Sequence, residues 1–146
     1  GLLRARPGSR LIAADNDSLA VRTAAANARI NRLSSRRARA VLSQGYADPA
    51  VRRGAPYDLI FANILAGPLC GMARDQMAAL APHGWLILSG ILNRQAVMVE
   101  RRYAAAGARV TARLRIGEWT TLVLRPARLG RLPGLWHPSF ADTAEP

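Results

Sequence analysis

Two polar residues stand directly behind short apolar runs: Asp15 after residues 10–14 (RLIAA) and Asn63 after residues 57–62 (YDLIFA). Open α/β sheets bind ligands at the carboxyl ends of their parallel strands, so polar groups at those ends are the first candidates for chemistry. An ionised carboxylate in such a place can accept hydrogen bonds from both hydroxyls of a ribose, as the acidic residue closing the second strand of a Rossmann-like unit does for an adenosine cofactor. An aspartate can equally compete for backbone donors and simply stop a strand, so position alone leaves both readings of Asp15 open. Asn63 has the same ambiguity: asparagine tolerates the left-handed backbone of a turn, and its amide can also hold a substrate group. The other reactive types form no constellation. Cys70 is the single cysteine, which excludes an intrachain disulfide and fits a reducing compartment, and His83 and His137 are too far apart in sequence for a metal-ligand pair. Cys70 reads as a small buried helix residue, His83 as a turn residue, and Trp85 and Trp119 as core or rim packing.

The elements that must position these residues alternate short apolar runs with longer helical ones, the pattern of βαβ units with helices on both faces of a parallel sheet. Strands are expected at residues 10–14, 38–42, 57–62 and 85–89. Asp17 or Ser18 can cap a helix over 18–30, closed by Asn31, and Pro68 can start a helix over 68–80. Residues 44–56, with glycines at 45 and 54 and prolines at 49 and 56, read as loop, and Pro82-His83-Gly84 reads as a turn. Gly90 is expected to break the fourth strand, Asn93 to cap a helix reaching Ala106, and Gly107 to end it. The runs 109–116 and 119–124 flank Gly117-Glu118 closely enough for an antiparallel hairpin.

The chain has 146 residues, half of them hydrophobic and 21% charged, which suits one globular domain and not a disordered or fibrous chain. No apolar run approaches the ~20 residues of a membrane span, and residues 1–10 lack the apolar core of a signal peptide, so neither insertion nor export is expected. The net charge of +12 raises nucleic acid as a partner. All 21 basic residues are arginine, however, and they are spread along the chain without interleaved aromatics, so a solvated basic surface is the plainer reading and direct nucleic-acid binding is not expected.

Residues 58–69 read DLIFANILAGPL, and Asn63-Ile64-Leu65-Ala66-Gly67-Pro68-Leu69 resembles the hallmark of the PrmA-type methyltransferases, which modify the stalk-base protein of the large ribosomal subunit. Three further matches are collinear with it: Asp15-Asn16-Asp17 followed by Ala20-Val21 and Asn27, Leu88-Ser89-Gly90-Ile91-Leu92 with Gln95 beyond, and Gly117-Glu118-Trp119. Together they cover residues 1 to about 125. The asparagine motif is specific, since related amino- and amide-directed methyltransferases carry prolines where this chain has Ile64-Leu65.

The resemblance implies a Rossmann-like class I methyltransferase sheet with a C-terminal antiparallel hairpin, S-adenosylmethionine as cofactor, and methylation of amino groups. It implies that Asp15 holds the cofactor ribose, that Asn63 lies near both the methyl donor and the incoming amine, and that Asp17 caps its helix. Such an enzyme mainly orients an unprotonated nitrogen in line with the sulfonium methyl, and no general base is evident. The family's first strand and glycine-rich loop are expected to precede residue 1, because no glycine-rich strand-to-helix turn occurs in the sequence, and residues 1–6 read as the end of the helix following that loop. The chain is therefore read as a C-terminal portion of the enzyme with its first strand absent: a partial catalytic domain at 1–125 and an unstructured tail at 126–146. The implied setting is the cytoplasm, with the stalk-base protein as substrate and a monomer when complete. The rival reading is a non-catalytic basic RNA- or ribosome-binding module derived from such an enzyme.

Overall fold

The structure, a computed structural model, describes Leu3 and residues 6–127. Most of the expected tail at 126–146 lies outside the described residues. Two compact units divide the chain, the first ending at Gly54 and the second beginning at Ala55.

In the first unit, β1 (Leu11–Asp15) pairs in parallel with β2 (Ala38–Leu42), Leu11 opposite Ala38 and Asp15 opposite Leu42. Helix α1 (Ser18–Ile30) connects them. It begins where expected because the Asp17 carboxylate accepts the Leu19 N–H at 2.8 Å, satisfying one of the donors a helix start leaves free. The stretch expected as loop contains a short helix, α2 (Pro49–Arg53). Asp48 caps it by accepting the Ala50 N–H at 2.6 Å, Pro49 occupies the first helical position, and Ala50 and Val51 are buried. A capping aspartate followed by proline is a helix-start signal that the flanking glycines and prolines obscured. The core here is small: Val41, Ala50 and Val51, with Ile12 and Tyr46 against it.

The second unit holds a four-stranded sheet in the order β3-β4-β6-β5, formed by β3 (Tyr57–Asn63), β4 (Leu80–Leu92), β5 (Ala108–Ile116) and β6 (Trp119–Pro126). β3 and β4 are parallel; β4–β6 and β5–β6 are antiparallel, with β5 and β6 joined by the expected hairpin at Gly117-Glu118. Helices α3 (Ala66–Ala79) and α4 (Ala96–Ala105) supply Leu69, Ala73, Val99 and Tyr103 to a core completed by Leu86, Leu88, Ile91, Leu122 and Leu124 of the sheet. Full burial of each leucine stabilises the fold by roughly 1.5–3 kcal/mol. Cys70 lies on α3, partly buried against this core.

Three expectations along β4 are corrected. Pro82-His83-Gly84 is not a turn between elements but part of the strand, absorbed as an irregularity: Tyr57 pairs with Leu80 and Leu59 with Trp85, so two steps on β3 face five on β4. Gly84 permits this, since a Cβ there would lie 2.8 Å from the Tyr57 carbonyl oxygen. Gly90 does not break the strand either. It sits at φ +73° where Leu88 pairs with Leu122 and Ile91 with Thr120, three steps against two, which is a one-residue bulge. Asn93 caps no helix. It starts a short 3-10 turn (Asn93–Gln95) and ties β4 to the hairpin: its Nδ2 donates to the Gly117 carbonyl at 2.9 Å and its Oδ1 accepts from Thr120 Oγ1 at 2.6 Å. Two boundaries also move. α3 begins at Ala66, with Pro68 inside its first turn, and α4 ends at Ala105 before Gly107, which takes φ +89° as expected of a glycine behind a helix. Trp85 and Trp119 are rim residues, 42% and 54% exposed, and Trp85 stacks under the Arg125 guanidinium at 4.5 Å.

Two side-chain ties bind α4 to its neighbours α3 and β5. The Tyr103 hydroxyl, fully buried, reaches the Leu69 carbonyl at 3.0 Å and the Gln76 carboxamide. Tyr103→Phe leaves buried polar groups of α3 without that partner and is expected to destabilise the second unit by about 1–3 kcal/mol, measured by urea denaturation. Glu100 is paired by Arg113, which donates from Nε to one carboxylate oxygen and from a terminal nitrogen to the other at 2.6 Å. This hydrogen bonding, with smaller Coulombic help from Arg113 and Arg115, outweighs partial burial and holds the Glu100 carboxyl below the usual glutamate value. A lowered folded-state pKa contributes stability above the unfolded value that is lost as pH falls through the folded one. Glu100→Gln is therefore expected to lower the urea midpoint at neutral pH, by a difference that shrinks as pH falls below the usual glutamate range; a difference that persists unchanged in acid would contradict the pairing.

Candidate functional site

Asp15 is the last residue of β1 and is exposed. Its Oδ1 accepts the Asp17 N–H at 2.9 Å, and Asp17 in turn caps α1, so one short turn holds both carboxylates in different tasks. Its backbone carbonyl accepts the Ser43 N–H at 2.8 Å, which fastens it to the chain leaving β2. A carboxylate offers about four acceptor positions, so one local bond leaves Asp15 able to take two hydroxyl donors.

Beside this strand end lies a shallow depression of about 420 Å³ lined by Asn16, Leu42, Ser43 and Gln44. Ser43 is buried and fully engaged, its hydroxyl donating to the Gly45 carbonyl at 2.9 Å and accepting the Asp48 N–H at 3.1 Å, so it shapes the wall. Leu42 is 55% exposed and offers the depression an apolar surface. Sequence reasoning missed Leu42, Ser43 and Gln44, although Leu42 ends β2, the other two follow it, and the rule that singled out Asp15 applies to them equally.

Asn63 closes β3 in the second unit, exposed, with Ser89 opposite it on the parallel strand β4. The chain then leaves through Ile64 and Leu65, 39% and 76% exposed, into α3, whose start has no side-chain cap. The Asn63 carboxamide lies against the bulge in β4: a Cβ on Gly90 would fall 2.5 Å from its Oδ1. Gly90 is another residue that sequence reasoning misassigned, taken as a strand breaker. A glycine inside an apolar strand pattern is equally a sign of a bulge or of close approach.

A family model described as ribosomal protein L11 methyltransferase (PrmA) matches residues 6–127. The ribosomal protein L11 methyltransferase of a Caulobacter species is 43% identical over 122 residues, covering 83% of this chain and 41% of that protein. Its counterpart from Bradyrhizobium diazoefficiens is 41% identical over 115 residues, covering 79% and 39%. Among solved structures, the ribosomal protein L11 methylase of Lactobacillus delbrueckii subsp. bulgaricus superposes with a TM-score of 0.71 at 25% identity, over 81% of this chain and 58% of that one. A methyltransferase from Pyrococcus furiosus, at TM-score 0.65 and 19% identity, shares the fold. The chain thus spans about two-fifths of the length of the curated relatives it matches. The match runs through every element from β1 to β6 and spans both strand ends, so the chain belongs to the ribosomal protein L11 methyltransferase (PrmA) family and has its Rossmann-like α/β fold.

Proposed function

We propose that this chain forms part of an S-adenosylmethionine-dependent methyltransferase acting on amino groups of ribosomal protein L11, with Asp15 holding the cofactor ribose and Asn63 orienting the acceptor nitrogen. The observation that carries the reading is the exposed Asn63 carboxamide at the carboxyl end of parallel strand β3, inside the segment that matches the family. Relatives 43% and 41% identical are named ribosomal protein L11 methyltransferases, which supports both the reaction and the substrate. No observation favours a non-catalytic RNA-binding module.

When bound, the cofactor supplies an electrophilic sulfonium methyl. The chain's own residues bind and orient. The Asp15 carboxylate has acceptor capacity for vicinal hydroxyls, and the depression beside it has an apolar wall in Leu42 and polar groups in Asn16 and Gln44 suited to a flat heteroaromatic base. The Asn63 carboxamide oxygen can accept an N–H from the incoming amine and aim its lone pair, contributing through orientation instead of proton transfer. Among the described residues no helix is long and apolar enough to cross a membrane. A modifier of a ribosomal protein acts where ribosomes are assembled, so a cytoplasmic location belongs to the proposal.

Asp15→Ala removes the charged acceptor for the ribose hydroxyls, a loss of about 1.5–3 kcal/mol, and is expected to weaken S-adenosylhomocysteine binding roughly ten- to a hundredfold by calorimetric titration. An unchanged dissociation constant would remove Asp15 from the site. Asn63→Ala is expected to lower turnover on isolated L11 at saturating cofactor more than it weakens cofactor binding, because what it removes is orientation at the reacting centre. Parent-level turnover would leave Asn63 as a turn residue only.

A further inference from the structure

Among the described residues of the second unit, three glycines have left-handed backbone: Gly90 at φ +73°, Gly107 at +89° and Gly117 at +56°. At Gly107 and Gly117 an added Cβ would meet nothing within 4 Å, so backbone conformation alone accounts for glycine there. Gly90 carries a second requirement. Its Cβ would lie 2.5 Å from Asn63 Oδ1 and 3.7 Å from Asn63 Cγ, while the Ile64 carbonyl oxygen stays at an ordinary 3.5 Å. Non-bonded heavy atoms prefer separations of about 3.5–4.0 Å, so the Asn63 carboxamide occupies the volume that any other residue at position 90 would fill.

We propose that Gly90 is a positioning residue: by lacking a Cβ at the bulge in β4, it gives the Asn63 carboxamide its place at the end of β3. The inference rests on the proposed role of Asn63 for its catalytic consequence, but not for its geometry. The clash is with the far end of a side chain that has two free torsions. A methyl group at position 90 therefore leaves the sheet able to form and moves the carboxamide, and a displacement of about 1 Å at a reacting centre can lower turnover roughly a hundredfold. The bulge supplies the offset: with the extra residue between Leu88 and Ile91, Gly90 follows Ser89, the partner of Asn63.

The test compares Gly90→Ala, Gly107→Ala, Asn63→Ala and the double variant Asn63→Ala with Gly90→Ala in the purified protein. The readouts are thermal melting, the Asn63 side-chain amide resonances by NMR, and turnover and KM on isolated L11. Both glycine variants are expected to melt lower, because both place alanine at positive φ. Only Gly90→Ala is expected to move the Asn63 amide resonances and to lower turnover, by about tenfold or more with KM little changed, and it should cost no further turnover once Asn63 is alanine. Unmoved Asn63 resonances in Gly90→Ala, or an equal loss of turnover with and without the Asn63 side chain, would overturn the proposal. If Gly90→Ala does not fold, the double variant, which removes the clash, is expected to fold and to melt near Gly107→Ala; its failure would also overturn it. If Asn63→Ala alone keeps full turnover, the proposed role of Asn63 falls, and the resonance shift by itself decides whether Gly90 positions it.

Discussion

The second unit depends on β4 joining its parallel and antiparallel pairings. β4 bonds in parallel to β3 and in an antiparallel ladder to β6, and it carries Leu86 and Leu88, both with no exposed surface, on the face that packs with α3 and α4. A slip of one residue would turn those leucines to the opposite face, so hydrophobic burial and two ladders enforce the same register. The strand can meet all three demands only by being irregular where they conflict. It has one irregularity near its start, where Gly84 lets the backbone pass the Tyr57 carbonyl, and one near its end, at Gly90.

The second irregularity is where packing reaches Asn63. The register that buries Leu88 also sets Ser89 opposite Asn63, and the bulge that follows lets β4 reach the hairpin, where Asn93 bonds Gly117 and Thr120. Thr120 is fully buried, so the bond from its hydroxyl to Asn93 satisfies a group that would otherwise destabilise the core. Asn63 is thus an exposed residue whose surroundings are braced by the whole core.

Asp15 is held in another way. Among the described residues, the first unit's cluster centres on Val41, Ala50 and Val51, and α1 contributes no buried residue. Hydrogen bonds do the holding: Asp17 N–H to the Asp15 carboxylate, Ser43 N–H from the chain leaving β2 to its carbonyl, and the Ser43 hydroxyl bridging Gly45 and Asp48. A strand end held by hydrogen bonds can present a turn to solvent with little core beneath it.

Features that depend on neighbours in sequence were therefore legible. The Asp17 cap, β2 at Ala38–Leu42, the hairpin at Gly117-Glu118 and the left-handed Gly107 all follow from preferences acting within a few residues, and the motif around Asn63 pointed to the family before any fold was known. α2 was marked by Asp48-Pro49 too, and was masked only by the turn residues around it. Asn93 and Gly90 were not legible. An asparagine before a helical stretch is a sound cap, and a glycine after an apolar run is a sound strand end, until partners from elsewhere compete. Gly117 and Thr120, 24 and 27 residues away, claimed the Asn93 side chain, and β6 carried the β4 ladder on past Gly90. Backbone preferences of this kind are worth about 1 kcal/mol, whereas continuing a buried ladder and satisfying a buried hydroxyl are together worth more, so at these two positions long-range pairing prevailed over local propensity.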